Sequence, residues 1–200
     1  MSEPRRVGIL GGTFDPVHLG HLVVASEIHD ALGLDEVVLV PTGHPWQKSE
    51  RTVTDAVDRV AMAELAVLGD ERLRVSTVDV DRSGPTYSVD TVTDLRDEYD
   101  ADVAFYFVVG ADALAGLAGW HQVDALLREV IVVGCTRGGD APAVPEAMPA
   151  DRFVFVATTA IGVSSTLVRE RVRQGASIRY LVPDAVERYV HDRKLYRDAA

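Results

Sequence analysis

Apolar positions along this chain follow two alternating rhythms: short continuous runs, and stretches that repeat every three to four residues. Residues 6–10 form a near-continuous apolar run, the pattern of a strand buried on both faces, and Gly11-Gly12 are expected to end it in a turn where backbone can approach a ligand. Over 19–31 the spacing becomes helical, with Leu22, Val23, Ala25, Ile28 and Leu32 on one side and Gly33 placed to stop the helix. Residues 36–41 read as a second strand, 42–54 as a polar loop, and 55–68 as an alanine-rich helix capped by Thr54 or Asp55. The pattern continues with strands at 73–80, 103–110, 129–135 and 152–157, a helix at 88–99, helical turns across 112–127 and two helices at the C-terminal end.

Strands alternating with amphipathic helices predict an α/β fold, a doubly wound parallel sheet with helices on both faces, because parallel strands need crossovers that cover the sheet. Ligands of such folds sit at the carboxyl ends of the strands, near the switch in strand order. The segments there are 11–21, 41–48, 81–88, 110–120, 136–139 and 158–165, and four of the six hold clustered polar or aromatic side chains. The Gly-, Pro- and Ala-rich stretch 136–149 reads as a surface loop with Arg137 as its one phosphate contact. Two hundred residues, 47% hydrophobic, suffice for one domain spanning 1–200, with a small helical part from about 163.

Composition narrows the function. The longest apolar runs, such as 37–40 and 131–133, fall far short of the roughly 20 residues that span a bilayer. The N-terminal arginines are followed by an apolar segment that Gly11-Gly12 break, so a secretory signal is not expected. Cys135 is the single cysteine, excluding an intramolecular disulfide and fitting a cytoplasmic protein, and its place at a strand end reads as a core thiol. A net charge of −11 argues against a nucleic acid polymer as partner, yet a few placed Arg, His and Lys side chains can still hold one triphosphate.

Two segments have that chemistry. Gly11-Gly12-Thr13-Phe14 is neither a Gly-x-Gly-x-x-Gly fingerprint nor a P-loop, but it leads into His18-x-Gly20-His21, two imidazoles at the amino end of a helix, where free N–H groups and the helix dipole favour an anion. The other reading is a pair of capping or surface histidines; a metal site lacks a third ligand at recognisable spacing. Near the C-terminal end, Ser164, Ser165 and Thr166 open a helix with Arg169 one turn on, a second phosphate-suited terminus or an ordinary cap.

The first segment resembles the His-x-Gly-His signature of the nucleotidyltransferase superfamily, and Val163-Ser164-Ser165-Thr166-Leu167-Val168-Arg169 resembles its Ile-Ser-Ser-Thr-x-x-Arg, with Val163 in place of isoleucine. Gly84-Pro85-Thr86-Tyr87-Ser88-Val89-Asp90-Thr91, and Gly110-Ala111-Asp112-x-Leu114 with Leu117 and Trp120, resemble segments of the nicotinate-nucleotide adenylyltransferases. The match extends to 181–196, so it covers nearly the whole chain.

That resemblance implies a Rossmann-like fold and attack by the 5′-phosphate of nicotinate mononucleotide on the α-phosphorus of ATP, with Mg²⁺ arriving on the ATP. It implies His18, His21 and Arg169 at the phosphates, with Gly11, Gly12, Thr13, Phe14, Ser164, Ser165 and Thr166 binding ATP. Thr86, Tyr87, Asp112, Trp120 and Lys48 would bind the mononucleotide, although His44-Pro45-Trp46-Gln47-Lys48 departs from the family's Pro-His-Lys spacing. Read alone, Trp120 is a core or surface anchor, Asp112 equally a helix cap, Trp46 equally a lid or core residue, and Arg59 a side chain on a solvated helix face. Pantetheine-phosphate adenylyl transfer shares both signatures, and a non-catalytic nucleotide sensor would keep the ATP pocket. No membrane partner is expected, and a homo-oligomer is left open.

Overall fold

The computed structural model describes residues 3–43, 53–99, 102–136, 144–145 and 148–197. Lys48, His44, Trp46 and Arg137 lie outside the described residues. Six parallel strands, β1 (Arg5–Gly12), β2 (Glu36–Pro41), β3 (Leu73–Val75), β4 (Val103–Gly110), β5 (Val130–Thr136) and β6 (Phe153–Ala157), form one sheet in the order β3-β2-β1-β4-β5-β6. The chain winds outward from β1 to one edge and then from β4 to the other, so strand order reverses between β1 and β4.

Alternation along each strand builds two cores. In β2, Val37 and Leu39 face one side of the sheet and Val38 and Val40 the other, all with no solvent exposure. The first face is covered by α1 (Leu19–Leu32), α2 (Ala56–Val67), α7 (Ser165–Arg173) and α8 (Asp184–Asp192), through Ala25, Ile28, Met62, Val168 and Val186. The second is covered by α4 (Ser88–Arg96), α5 (Ala111–Ala115) and α6 (Val123–Glu129), through Val92, Leu95, Leu114, Leu126 and Leu127. Cys135 packs in the first core, as its place in a strand suggested. Among the described residues no helix is long and apolar enough to cross a membrane.

Two expectations are corrected. Gly11 and Gly12 do not turn; they complete β1, in register with Val40 and Pro41, and the turn starts at Thr13. The strand expected over 73–80 stops at Val75, and Val78–Asp81 forms a helical turn, α3, because the Thr77 carbonyl accepts from both the Val80 and Asp81 amides. The helical turns expected across 112–127 are α5, a 3₁₀ turn at Leu117–Gly119, and α6, with Gln122 in the left-handed region just ahead of α6.

Candidate active site

The end of β1 sets the site. Beyond Gly12 the chain places Phe14 in the left-handed region at φ 48°, passes a cis Asp15–Pro16 bond and enters α1 with His18 as its N-cap. The three-residue step from cap to third helical position brings the two imidazoles together, stacked at 3.7 Å between centroids and 22° between planes. His18 is buried. His21 Nδ1 accepts from the His18 backbone N–H at 3.2 Å, so the proton of this ring lies on Nε2, on the edge away from the cap. The Phe14 ring meets His21 edge-on at 4.9 Å. A Cβ on Gly20 would come within 3.1 Å of the His18 ring, so glycine there makes room for the stack.

The N-terminus of α7 docks under this turn. Ser164 Oγ caps it, accepting from the Leu167 amide at 3.1 Å, and Ser165 Oγ donates to the Pro16 carbonyl at 2.8 Å. Arg169 is buried, donating from Nη1 to the Asp15 carbonyl at 2.6 Å and from Nη2 to Thr166 Oγ1 at 3.0 Å. Asp15 in turn accepts from Tyr196 Oη at 2.9 Å. The amino ends of α1 and α7 are thereby joined through residues 15 and 16, though 149 residues separate Pro16 from Ser165.

On the other flank a cleft of about 820 Å³ opens between the carboxyl ends of β1 and β4, at the reversal of strand order. Gly11, Gly12 and Thr13 line one side; Thr86, Tyr87, Asp112 and Trp120 line the rest. Trp120 is half-buried, edge-on to Phe107 at 6.0 Å, and Tyr87 stacks on His121 at 4.2 Å. Gly84, at φ 95°, makes the turn that brings Thr86 and Tyr87 to the cleft.

Sequence reasoning assigned no role to several cleft residues, Asp79 and His121 among them, and misread Arg59. Asp79 is buried at the cleft wall, accepting from Thr91 Oγ1 at 2.6 Å and from Arg82 at 3.4 Å. Burial pushes its carboxyl up to about 6, against the pull of Thr91 and Arg82. Thr91 and His121 belong to the same lining. Arg59, expected on a solvated face, is 1% exposed and donates to the carbonyls of Thr13 (2.8 Å), Thr54 (2.9 Å) and Gly43 (3.2 Å). An arginine at one turn of an amphipathic helix has a solvated reading by default, and no local spacing shows that carbonyls 16 and 46 residues away converge on it. Burial pulls its guanidinium down, opposed by Asp15, Tyr196 and Asp55.

Residues 9–171 match the model of the cytidylyltransferase-like family. A probable nicotinate-nucleotide adenylyltransferase of Acidothermus cellulolyticus is 47% identical over 196 residues, covering 96% of this chain and 94% of the relative. Another of Corynebacterium glutamicum is 46% identical, covering 96% and 88%. The chain belongs to the nicotinate-nucleotide adenylyltransferase family. The fold is shared with the nicotinic acid mononucleotide adenylyltransferase of Plasmodium falciparum complexed with NaAD, at a TM-score of 0.74 and 16% identity over 96% of this chain and 97% of that one. In this member of the adenylyltransferase family the His-x-Gly-His and Ser-Ser-Thr-x-x-Arg segments meet at one helix junction, and the segments 84–91 and 110–120 contribute walls of the adjoining cleft.

Proposed function

We infer that the chain transfers the adenylyl group of ATP to nicotinate mononucleotide, giving deamido-NAD and pyrophosphate in NAD biosynthesis. The observation that carries this reading is the junction of two helix N-termini and a stacked histidine pair, beside a cleft walled by Trp120, Thr86 and Tyr87. In the reaction an oxygen of the mononucleotide's 5′-phosphate bonds to the α-phosphorus of ATP while the α–β anhydride bond breaks and its electron pair leaves with pyrophosphate. The attacking phosphate is already ionised at neutral pH, so the protein's task is alignment and stabilisation of charge rather than proton removal.

His21 supplies the first part, its Nε2–H donating to an α-phosphoryl oxygen as charge grows there. His18 stacks against it and narrows its orientation. Ser165 and Thr166 backbone amides and the α7 dipole face the β- and γ-phosphates, with Ser164 holding the cap and Arg169 adding its charge. Gly11, Gly12, Thr13 and Phe14 allow the nucleotide to lie against backbone. On the acceptor side, the pyridine ring stacks on Trp120, the Thr86 and Tyr87 amides receive the nicotinate carboxylate, and Asp112 receives ribose hydroxyls. Lys48 neutralises phosphate charge. Mg²⁺ enters as part of the MgATP substrate, keeping most of its water.

Pyrophosphate release tests the reading, with MgATP and, in separate reactions, nicotinate mononucleotide, nicotinamide mononucleotide and phosphopantetheine. Release with nicotinate mononucleotide well above the other two is expected. Release with phosphopantetheine alone would replace the acceptor, and silence with all three would leave a nucleotide-binding protein without turnover.

A further inference from the structure

Arg59 lies behind the first loop of the site, on α2, and none of the roles assigned above uses it. Its three carbonyl partners come from three separate stretches of chain: Thr13 in the turn after β1, Gly43 two residues past β2, and Thr54 two residues ahead of α2. Five N–H donors in a rigid plane can satisfy such a set; the single ammonium of lysine is a point charge on a flexible stem. Gly43 is held from both sides, since its carbonyl accepts from Arg59 and a Cβ there would overlap the Asp79 carbonyl oxygen. The turn after β1 is thus registered against the wall that carries Asp79.

The bond to Thr13 has a directional consequence. In a trans peptide the C=O and the following N–H point in opposite directions, so drawing the Thr13 carbonyl toward α2 turns the Phe14 N–H away from it. α2 covers the first face of the sheet, whereas the cleft is walled by Phe107, Trp120 and α5 on the second. The Phe14 N–H therefore faces the cleft side, where Thr13 itself is part of the lining. Phe14 adopts φ 48°, a conformation a bulky residue holds only when its surroundings impose it.

We propose that Arg59 is a positioning residue for adenylyl transfer, which fixes the Thr13–Phe14 peptide so that the Phe14 N–H donates to the phosphate chain of ATP. This rests on the function proposed above only in its kinetic arm. Arg59→Lys keeps the charge but cannot span the three carbonyls, so turnover should fall by about tenfold or more, with KM for both substrates within about threefold, in a protein whose circular dichroism matches the parent. A smaller fall, or a loss shared equally by both KM values, overturns the proposal. Should Arg59→Lys not fold, the parent protein decides: in ¹H–¹⁵N spectra, Mg²⁺ with α,β-methylene-ATP should move the Phe14 amide proton downfield, and an unmoved Phe14 amide in a saturated sample overturns the assignment. The spectrum needs no acceptor, so the Phe14 contact is still read if the parent protein turns over none of the three acceptors, an outcome that defeats the proposed function and the kinetic role of Arg59 but not this contact.

Discussion

At the scale of single residues, the site divides into groups that the proposed function sets against phosphate and groups that hold the walls. His21 is of the first kind. Its Nδ1 is occupied by the His18 amide, leaving Nε2–H as an oriented donor, and an oriented donor to developing charge is worth far more in the transition state than in the ground state. His21→Ala should lower turnover by about a hundredfold or more with less effect on ATP affinity, read by steady-state kinetics; a fall below about tenfold removes His21 from that role. Asp79 is of the second kind, and its cost is measurable by pH. The folded protein holds this carboxyl proton up to about pH 6, mainly because burial penalises the charge, whereas the ordinary value is 3.8. The folded state binds the proton more tightly than the unfolded state, so stability is lost as pH rises from about 4 to 6 and the deficit is complete above that window. Asp79→Asn removes the deficit while its amide oxygen can still accept from Thr91. Urea unfolding should show the variant gaining up to about 3 kcal/mol on the parent between pH 4 and pH 7.5. A difference that does not vary with pH would mean that Asp79 does not titrate there.

At the scale of elements, the start of α7 serves two purposes that substitution can separate. Ser164 Oγ caps the helix, and the amides beyond it face the proposed phosphate position. Ser164→Ala should lower stability by about 1 kcal/mol in urea unfolding, as lost caps do. Ser164→Asp keeps a capping oxygen and should stay within about 0.5 kcal/mol of the parent. It nevertheless sets a negative charge beside the triphosphate, so KM for ATP should rise by about tenfold or more; an unchanged KM would place the triphosphate elsewhere. This helix start was legible in the sequence, as was the His18–His21 pair, because caps and three-residue spacings are local. The bounds of β2 and β4 were legible too, since continuous apolar runs of strand length leave little ambiguity. What misled was local mimicry: Val78-Asp79-Val80-Asp81 alternates like a strand, yet the Thr77 carbonyl turns it into a helix. What stayed hidden was long-range, since the Thr13 and Gly43 partners of Arg59 and the Thr91 partner of Asp79 are set by which loops the sheet order brings together.

For the whole molecule, the strand reversal between β1 and β4 places the cleft at the centre of the sheet, and the C-terminal segment braces the opposite face. Tyr189 Oη and Arg193 Nε both donate to Asp58 on α2, at 2.8 and 3.1 Å, while Tyr196 bonds Asp15 beside the histidine turn. Helices α1, α2, α7 and α8 are thus tied around the first loop of the site, and a ligand seated there stabilises contacts from both ends of the chain. Binding to the folded state alone adds about 2.7 kcal/mol at 100 times Kd. For a chain of 150 to 250 residues that corresponds to a rise in Tm of about 5 to 11 °C. Thermal melts with Mg²⁺ and α,β-methylene-ATP should show a rise of this size in the parent protein and nearly the same rise in His21→Ala, whose loss falls on turnover. Arg169→Ala removes the charge at the α7 junction and should lose most of the rise, and because each variant is compared with its own ligand-free melt, any structural weakening cancels. Equal loss in both variants would assign His21 to ground-state binding, and the hundredfold effect on turnover would then have to be read as a loss of affinity instead.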